Sequence, residues 1–276
     1  MKKWFAVIGE PIEHSKSPAM HNAWFEALNI DATYIPVHVT PEALPAAVEG
    51  FKTLGASGWN VTIPHKSAII PYLDELDELA EKMGAVNTVV RTKNGKLKGF
   101  NTDGVGFVRS LEEAVGKAHK DKPVLLIGAG GAARGIAFAM QQQGYTNLTI
   151  ANRTVANAQA IVQEMGTGRA ISLSEAEEHL NEFGILVQMT SAGLSTGHFS
   201  MPFSLDRLAK GAIVADIVYN PLMTPFLLAA EEKGAQIVTG LGMFVHQGAI
   251  AFEHWLGEYP NTNSMTAHLK EQLGGQ

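Results

Sequence analysis

Val124-Leu125-Leu126-Ile127 runs straight into Gly128-Ala129-Gly130-Gly131-Ala132-Ala133, and a helix-like segment follows from Ala132 to Gln143. Gly128, Gly130 and Ala133 satisfy G-x-G-x-x-[G/A], a turn that lets a pyrophosphate sit against the amides of a helix N-terminus without side chains in the way. Alone the motif is weak, because glycine-rich strand-to-helix turns also serve packing. The next apolar run, Leu148-Thr149-Ile150-Ala151, delivers Asn152-Arg153-Thr154 about twenty residues after the turn. An acid at that place would hold the ribose hydroxyls of NAD. Here Asn152 can bond neutrally, while Arg153 and Thr154 can hold a 2′-phosphate, Arg153 by charge and planar donors. The expectation is NADP over NAD.

A second set of polar residues lies earlier in the chain. Ser15 and Ser17, two residues apart before Pro18, are placed to meet a small carboxylate with hydroxyls and amides at a helix N-terminus. Taken alone, Ser17 reads as a helix cap and Ser15 as a turn residue. Asn60-Val61-Thr62-Ile63-Pro64-His65-Lys66 sets polar side chains at alternate strand positions and ends on a lysine where open α/β sheets keep their active sites. Asn87-Thr88 and Asn101-Thr102-Asp103 are two further clusters. A lysine after a strand is commonly just solvated, and convergence of these separate loops is what distinguishes a site. Of the ten histidines none forms H-E-x-x-H, and the pairs His14 with His21 and His246 with His254 lack a third ligand, so no metal is expected. No G-x-S-x-G elbow gives a serine a hydrolase context.

The elements that must position these residues follow from hydrophobic patterning. Apolar runs predict strands at Trp4–Ile8, Thr33–Val39, Gly58–Thr62, Val86–Arg91, Val124–Gly128, Leu148–Ala151, Ile185–Gln188, Ile213–Asp216 and Gln236–Val238, separated by segments of helical spacing. That pattern is α/β with a mostly parallel sheet. Ser17-Pro18 and Thr40-Pro41 each read as a capping oxygen before a proline at the first helical position. Lys93-Asn94-Gly95-Lys96 reads as a tight hairpin turn between Val89-Val90 and Leu97, which interrupts the parallel order. The polar stretch Gly99 to Gly104 and the Gly240-Leu241-Gly242 segment are the expected domain crossovers.

Composition bounds the rest. At 276 residues, 46% of them hydrophobic and 17% charged, the chain supports two modest cores and is not disordered. A net charge of −6 without any basic tract has the wrong sign for gripping nucleic-acid phosphates or anionic lipid. The apolar stretch at the amino terminus ends at Glu10-Pro11, too short for an export signal, and the stretch from Gly211 to Ala230 is broken by Asp216, Asn220, Pro221 and Pro225, so no membrane span is expected. The absence of cysteine removes disulfides, thiolate chemistry and Cys-ligated zinc and fits a reducing interior. The expected location is the cytoplasm.

Taken as an ordered set, these residues resemble the shikimate dehydrogenase family over essentially the full chain. The resemblance is carried by His14-Ser15-Lys16-Ser17-Pro18 with His21-Asn22, then by the Asn60 to Lys66 segment, Gly84-Ala85-Val86-Asn87-Thr88 and Gly99-Phe100-Asn101-Thr102-Asp103-Gly104. It continues through the Gly128 turn to Arg134, Asn152-Arg153-Thr154, Thr190-Ser191-Ala192-Gly193, Asp216-Ile217-Val218-Tyr219-Asn220-Pro221, and Gly240-Leu241-Gly242-Met243 with Gln247-Gly248-Ala249. It implies a discontinuous substrate domain, 1–103 plus 241–276, with a Rossmann-type NADP domain, 104–240, inserted between, and a cleft where the two meet. It implies NADPH-dependent, reversible reduction of 3-dehydroshikimate to shikimate, a step of aromatic amino-acid biosynthesis, by a monomer or homodimer. Matched position by position, Ser15, Ser17 and Tyr219 fall on residues that hold the substrate carboxylate. Thr62, Asn87, Asp103 and Gln247 fall on those around its ring hydroxyls, and Lys66 with Asp103 on the catalytic pair. Glu78, Gly128, Ala129, Gly130, Gly131, Ala132, Asn152, Arg153, Thr154, Ile217 and Gly240 fall on cofactor positions. Two residues depart from the family: Asn157, where a basic residue often assists the 2′-phosphate, and Gln188, where asparagine is common. An alternative within enzymes is a quinate/shikimate dehydrogenase of relaxed specificity, and outside them a non-catalytic sensor of NADP or shikimate.

Overall fold

Lys3–Gly9 (β1) is apolar on both faces, and both are covered. In the computed structural model, which describes residues 2–190 and 203–274, Ala6 and Ile8 enter a core with Val39, Leu44, Val48, Phe51 and Trp59. Phe5, pointing the other way, packs on Phe25 and Trp255 at ring-centroid separations of 5.5 and 4.9 Å. Alternate residues of one strand fill two layers, so the run reads as continuously hydrophobic rather than alternating.

This strand belongs to a unit made of the residues up to Thr102 together with Gln247–Met265. In chain order β1 is followed by Ser17–Ala27 (α1), Ala32–His38 (β2), Leu44–Leu54 (α2), Gly58–Val61 (β3), Glu75–Leu76 (β4), Glu78–Met83 (α3), Thr88–Arg91 (β5) and Leu97–Phe100 (β6). The sheet order is β2-β1-β3-β5-β6-β4. β2, β1 and β3 run parallel, and β5 pairs antiparallel with both β3 and β6. The expected hairpin is present. Thr92 N–H meets the Lys96 carbonyl at 2.8 Å, and Gly95 supplies the left-handed φ of 84° that the turn needs.

Two local expectations are corrected. Ser17 is not a cap: α1 begins at Ser17 itself with Lys16 in the cap position, and the Ser17 N–H is instead accepted by Ser15 Oγ at 3.3 Å. Thr40 accepts the Ala43 N–H at 3.4 Å in a separate turn, and α2 starts later, at Leu44. Pro45, not Pro41, occupies that helix's first turn, because the buried stripe Leu44, Val48, Phe51 sets where the helix must lie. β4 is hidden in the sequence by its brevity and polarity. Gly99-Phe100, which reads as loop, closes β6.

The second unit comprises Asp103–His246 with residues from Thr266 on. Asp103–Val115 (α4) is followed by Val124–Ile127 (β7), Gly131–Gln142 (α5), Leu148–Ala151 (β8), Val155–Met165 (α6), Arg169–Ile171 (β9), Leu173–Glu178 (α7), Ile185–Gln188 (β10), Ile213–Asp216 (β11), Pro225–Glu232 (α8) and Gln236–Val238 (β12). Every pairing is parallel, in the order β12-β11-β10-β7-β8-β9. The first strand is therefore central, and the winding reverses between β7 and β10, the place where doubly wound sheets bind their ligands. β7, β8, β10 and β11 are buried along their whole lengths, as strands covered on both faces must be. The edge strand β9 is three residues long and has no apolar run to announce it. Helices α4 and α5 meet through Gly104: a β-carbon there would stand 2.3 Å from the Gly135 carbonyl oxygen. Gly240–Leu256 (α9) and Thr262–Gln272 (α10) each give residues to both units. Among the described residues no helix is long and apolar enough to cross a membrane.

Candidate active site

The glycine turn at the end of β7 divides its glycines by purpose. Gly128 has φ 114°, and a β-carbon there would press on Thr190 at 3.0 Å, so packing and backbone conformation both require glycine. At Gly130 and Gly131 an added β-carbon would meet nothing within 4 Å. The fold itself does not need them bare. Gly130 sits in the cap position of α5 and offers no side-chain cap, so the first amides of that helix have no side-chain acceptor there. Bare glycines beside uncapped amides, at the sheet's switch point, fit a pyrophosphate. Ala129 and Ala132 line the same turn, and Ala133 is fully buried against the sheet.

Beyond β8, Asn152 turns the chain by donating to the Thr154 carbonyl at 2.9 Å, which leaves Arg153 and Thr154 exposed at the strand's carboxyl end. Thr154 holds the cap position of α6 without using its hydroxyl as a cap. Asn157, also exposed, donates its N–H to the Thr154 carbonyl at 3.1 Å. At the end of β11, Gly240 lies against the backbone of Ile217 and Val218, where a β-carbon would stand 2.5 Å from either carbonyl oxygen. The structure thus brings Ile217 and Gly240 together. Tyr219, half-buried, stacks on Phe244 at 4.6 Å, and burial raises its hydroxyl above the usual tyrosine range. Gln188 closes the turn after β10: its Oε1 accepts the Thr190 N–H at 2.5 Å and its Nε2 donates to the Thr190 carbonyl at 3.2 Å. Ser191, Ala192 and Gly193 of that motif lie outside the described residues.

Asp216, 1% exposed, belongs to a motif whose spacing gives it no role of its own. Burial pushes its carboxyl up to about 6, against the lowering effect of the Val218 N–H at 2.9 Å, the Thr224 hydroxyl at 2.8 Å and the Gln188 side chain. A carboxyl whose folded value is raised favours folding fully only below its unfolded value of 3.8, and that contribution is lost as pH rises through about 6. Asp216→Asn removes the titration. In urea unfolding, the stability of the variant minus that of the natural protein is expected to grow by roughly 2 kcal/mol between pH 4 and 7. A difference that stays flat over that range contradicts the assignment.

The other unit gathers Ser15, Ser17, Thr62, Lys66 and Asn87 near the carboxyl ends of β1 and β3, while Asp103 opens the unit with the glycine turn. Ser17 is buried and Ser15 half-buried at the start of α1. Thr62 follows β3, its N–H held by the Ile8 carbonyl at 2.9 Å. Lys66, half-buried, ends a turn that is pinned from three directions: His65 N–H to the Thr62 carbonyl at 2.9 Å, Val86 N–H to the Lys66 carbonyl at 2.7 Å, and His65 Nε2 to the Val39 carbonyl at 2.6 Å. Since a carbonyl only accepts, His65 carries its proton on Nε2. Nothing in the sequence gives His65 a role, yet it is fully buried where its ring ties the lysine turn to Val39. Asn87, 3% exposed, accepts the Thr102 N–H at 2.9 Å and donates to Thr102 Oγ1 at 2.9 Å, which fixes the residue just before Asp103. Asp103 is the first residue of α4, where a carboxylate suits the helix N-terminus. Gln247 is half-buried on α9. Glu78 is exposed in the first turn of α3 and pairs with Lys82 at 2.6 Å; it belongs to this unit and not to the one with the glycine turn. A cavity of about 340 Å³ lined by Lys3, Ser57, Arg91 and Trp255 opens at the opposite, amino ends of β1 and β3 and is separate from this set. Among the described residues no group of three or more His, Cys, Asp or Glu is placed to hold a metal ion.

The chain matches the family models of the shikimate dehydrogenase substrate-binding domain over residues 7–89, of shikimate/quinate 5-dehydrogenase over 110–217, and of the shikimate 5′-dehydrogenase C-terminal domain over 240–270. The chain belongs to the shikimate dehydrogenase family. Among its relatives, a shikimate dehydrogenase (NADP(+)) of Lysinibacillus sphaericus is 84% identical over 275 residues, 100% of both chains. Two solved shikimate dehydrogenases share the fold. One, in complex with NADP+, is 38% identical with a TM-score of 0.90 and covers 99% of this chain and 96% of its own. The other, from Thermus thermophilus and in complex with NADP(H) and shikimate, is 36% identical with a TM-score of 0.88 over 98% and 99%. Shikimate dehydrogenases are oxidoreductases, and the doubly wound unit with its bare glycine turn is the part of this member suited to NADP.

Proposed function

We propose that this chain interconverts shikimate and 3-dehydroshikimate with NADP in aromatic amino-acid biosynthesis, and that the residues gathered above divide the work. Residues 1–103 with 241–276 take the substrate, and residues 104–240 take NADP. What carries the reading is the pairing of two separately built sets: a pinned lysine turn with buried Asn87 setting the backbone before Asp103, and uncapped helix amides behind bare glycines followed by Arg153. Ser15, Ser17 and Tyr219 hold the substrate carboxylate, and Thr62, Asn87, Asp103 and Gln247 surround its ring hydroxyls. Glu78, Ile217 and Gly240 border the nicotinamide end, and Asn152, Arg153 and Thr154 hold the 2′-phosphate end.

Oxidising the carbinol removes a hydride from carbon and a proton from its hydroxyl. Bound nicotinamide supplies the acceptor for the hydride. Lys66 stands at the oxygen, where an ammonium stabilises the developing negative charge of the reductive direction and hands over the proton. Asp103 orients Lys66 and the hydroxyl. Orientation and charge stabilisation are the main contribution, with proton transfer secondary. The protein works in the cytoplasm, as a monomer or homodimer, on small molecules and not on nucleic acid or membrane, a reading supported by its net charge of −6 and its lack of cysteine.

Initial rates followed by nicotinamide absorbance, with shikimate or quinate and with NADP or NAD, test this directly. The shikimate/NADP combination is expected to dominate. A quinate rate equal to that of shikimate would move the reading to a relaxed quinate/shikimate dehydrogenase. Silence in all four combinations, from folded protein that binds NADP, would leave a sensor.

A further inference from the structure

Thr88 opens β5 directly opposite Asn60 of β3, so the two side chains share one face of the sheet, and both are buried. Neither is among the residues assigned to substrate or cofactor. Asn60 Nδ2 donates to the Asn87 carbonyl at 3.1 Å and to Thr88 Oγ1 at 3.0 Å, and its Oδ1 accepts the Tyr34 hydroxyl at 2.7 Å. A carbonyl only accepts, so the Asn60 amide cannot be turned over. Thr88 Oγ1 carries a single hydrogen, and with Asn60 donating to that oxygen, the hydrogen goes to Asn87 Oδ1 at 2.9 Å.

The main chain of Asn87 is fixed independently, its N–H by the Phe100 carbonyl at 3.0 Å and its carbonyl by the Val61 N–H at 2.9 Å. What remains to be placed is the side chain. Oδ1 accepts the Thr102 N–H at 2.9 Å and Nδ2 donates to Thr102 Oγ1 at 2.9 Å, and both bonds reach a residue beyond the end of β6. They couple Asn87 to Thr102. The Thr88 hydroxyl ties that couple to β5, between β3 and β6 in the sheet. A second donor on Oδ1 also polarises the amide, which strengthens what Nδ2 donates.

We propose that Thr88 is a positioning residue of the substrate site: its hydroxyl, aimed by Asn60, holds the Asn87 carboxamide in the orientation that meets a ring hydroxyl and sets Thr102 ahead of Asp103. The bonds run one way, from the Tyr34 hydroxyl to Asn60, from Asn60 to Thr88 and from Thr88 to Asn87. A methyl in place of the Thr88 hydroxyl leaves these neighbours with partners, since Asn60 Nδ2 keeps the Asn87 carbonyl and Asn87 Oδ1 keeps the Thr102 N–H. The loss therefore falls on orientation and not on folding. This rests on the reading of Asn87 and Asp103 as residues of the substrate site.

Two substitutions of opposite kind test this in steady-state kinetics of the full chain. Thr88→Val keeps the shape and loses the hydroxyl, and is expected to lower kcat/KM for shikimate about tenfold with the KM for NADP within about twofold. Thr88→Ser keeps the hydroxyl and loses the methyl, and is expected to stay within about twofold of the natural chain. A packing role predicts the reverse order, so an impaired Thr88→Ser beside a natural Thr88→Val overturns the proposal. In the Asn87→Ala background, Thr88→Val is expected to add less than about twofold, because it acts through Asn87. An Asn87→Ala variant of natural kcat/KM overturns the reading of Asn87 and this inference with it. An impaired Asn87→Ala variant beside a Thr88→Val variant of natural kcat/KM, or two effects that multiply, overturns this inference alone. Should Thr88→Val fail to fold, Thr88→Ala against Thr88→Ser isolates the same hydroxyl: about tenfold in kcat/KM is expected to separate them, and equal values overturn the proposal.

Discussion

Lys66→Met is expected to lower kcat by about 10³ while leaving the KM for shikimate within about threefold of its natural value. Methionine keeps the length and loses the charge, so the missing contribution is stabilisation of the oxygen on which negative charge develops. That charge exists only as the reaction proceeds, which places the loss in turnover and not in binding. Binding is left to Ser15, Ser17, Thr62 and Asn87. The Thr62 N–H is held by the Ile8 carbonyl, and Asn87 by Thr102. The turn itself survives the substitution, because the bonds that pin it run through the Lys66 carbonyl and through His65. Lys66→Arg, which keeps a cation but spreads it over a larger fork, is expected to recover part of the loss if charge stabilisation outweighs proton transfer. A Lys66→Met variant with near-natural kcat and a raised KM would show that the lysine only binds.

The distribution of what can be read from sequence follows from physical range. The parallel core strands β1, β7, β8, β10 and β11 are buried on both faces, so their apolar runs announce them with no help from context. β4 and β9, two and three residues long, lie at sheet edges and depend on a neighbour that sequence does not show. The cap expectations at Ser17 and Thr40 fail for a related reason. Side-chain oxygens next to prolines are local signals, and the helix register is set by what each helix buries. In the site, residues with a reactive or charged group can be named from type and spacing, as with Lys66, Asp103 and Arg153. His65 cannot, because a histidine after a proline gives no sign of its burial or of its Nε2 bond to the Val39 carbonyl. Asp216 sits between these cases: its place at the end of a strand is visible, and its raised carboxyl depends on burial that only the fold creates.

Arg153→Ala is expected to raise the KM for NADP about fiftyfold and to leave that for NAD within about twofold, a range set by the loss of charge-assisted hydrogen bonds to one phosphate. The reason begins with where the residue sits. Strand β8 lies beside β7 in the sheet, and its carboxyl end stands one strand from the glycine turn, the place where a doubly wound sheet reads the ribose. The local backbone is held independently of the arginine, by Asn152 donating to the Thr154 carbonyl and by the Asn157 N–H on that same carbonyl. Truncation therefore removes a guanidinium and not a turn. Asn157 is neutral, so discrimination here falls on Arg153, with Thr154 adding a neutral hydroxyl. That predicts a larger effect for Arg153→Ala than in a site with two cations, and it predicts that Asn157→Arg raises the NADP/NAD ratio of the natural enzyme several-fold. It also predicts salt sensitivity. Arg153 is exposed, and the KM for NADP is expected to climb with ionic strength in the natural protein but not in Arg153→Ala. If Arg153→Ala weakened NADP and NAD alike, the guanidinium would be acting on something common to both, and the 2′-phosphate would have to be held elsewhere.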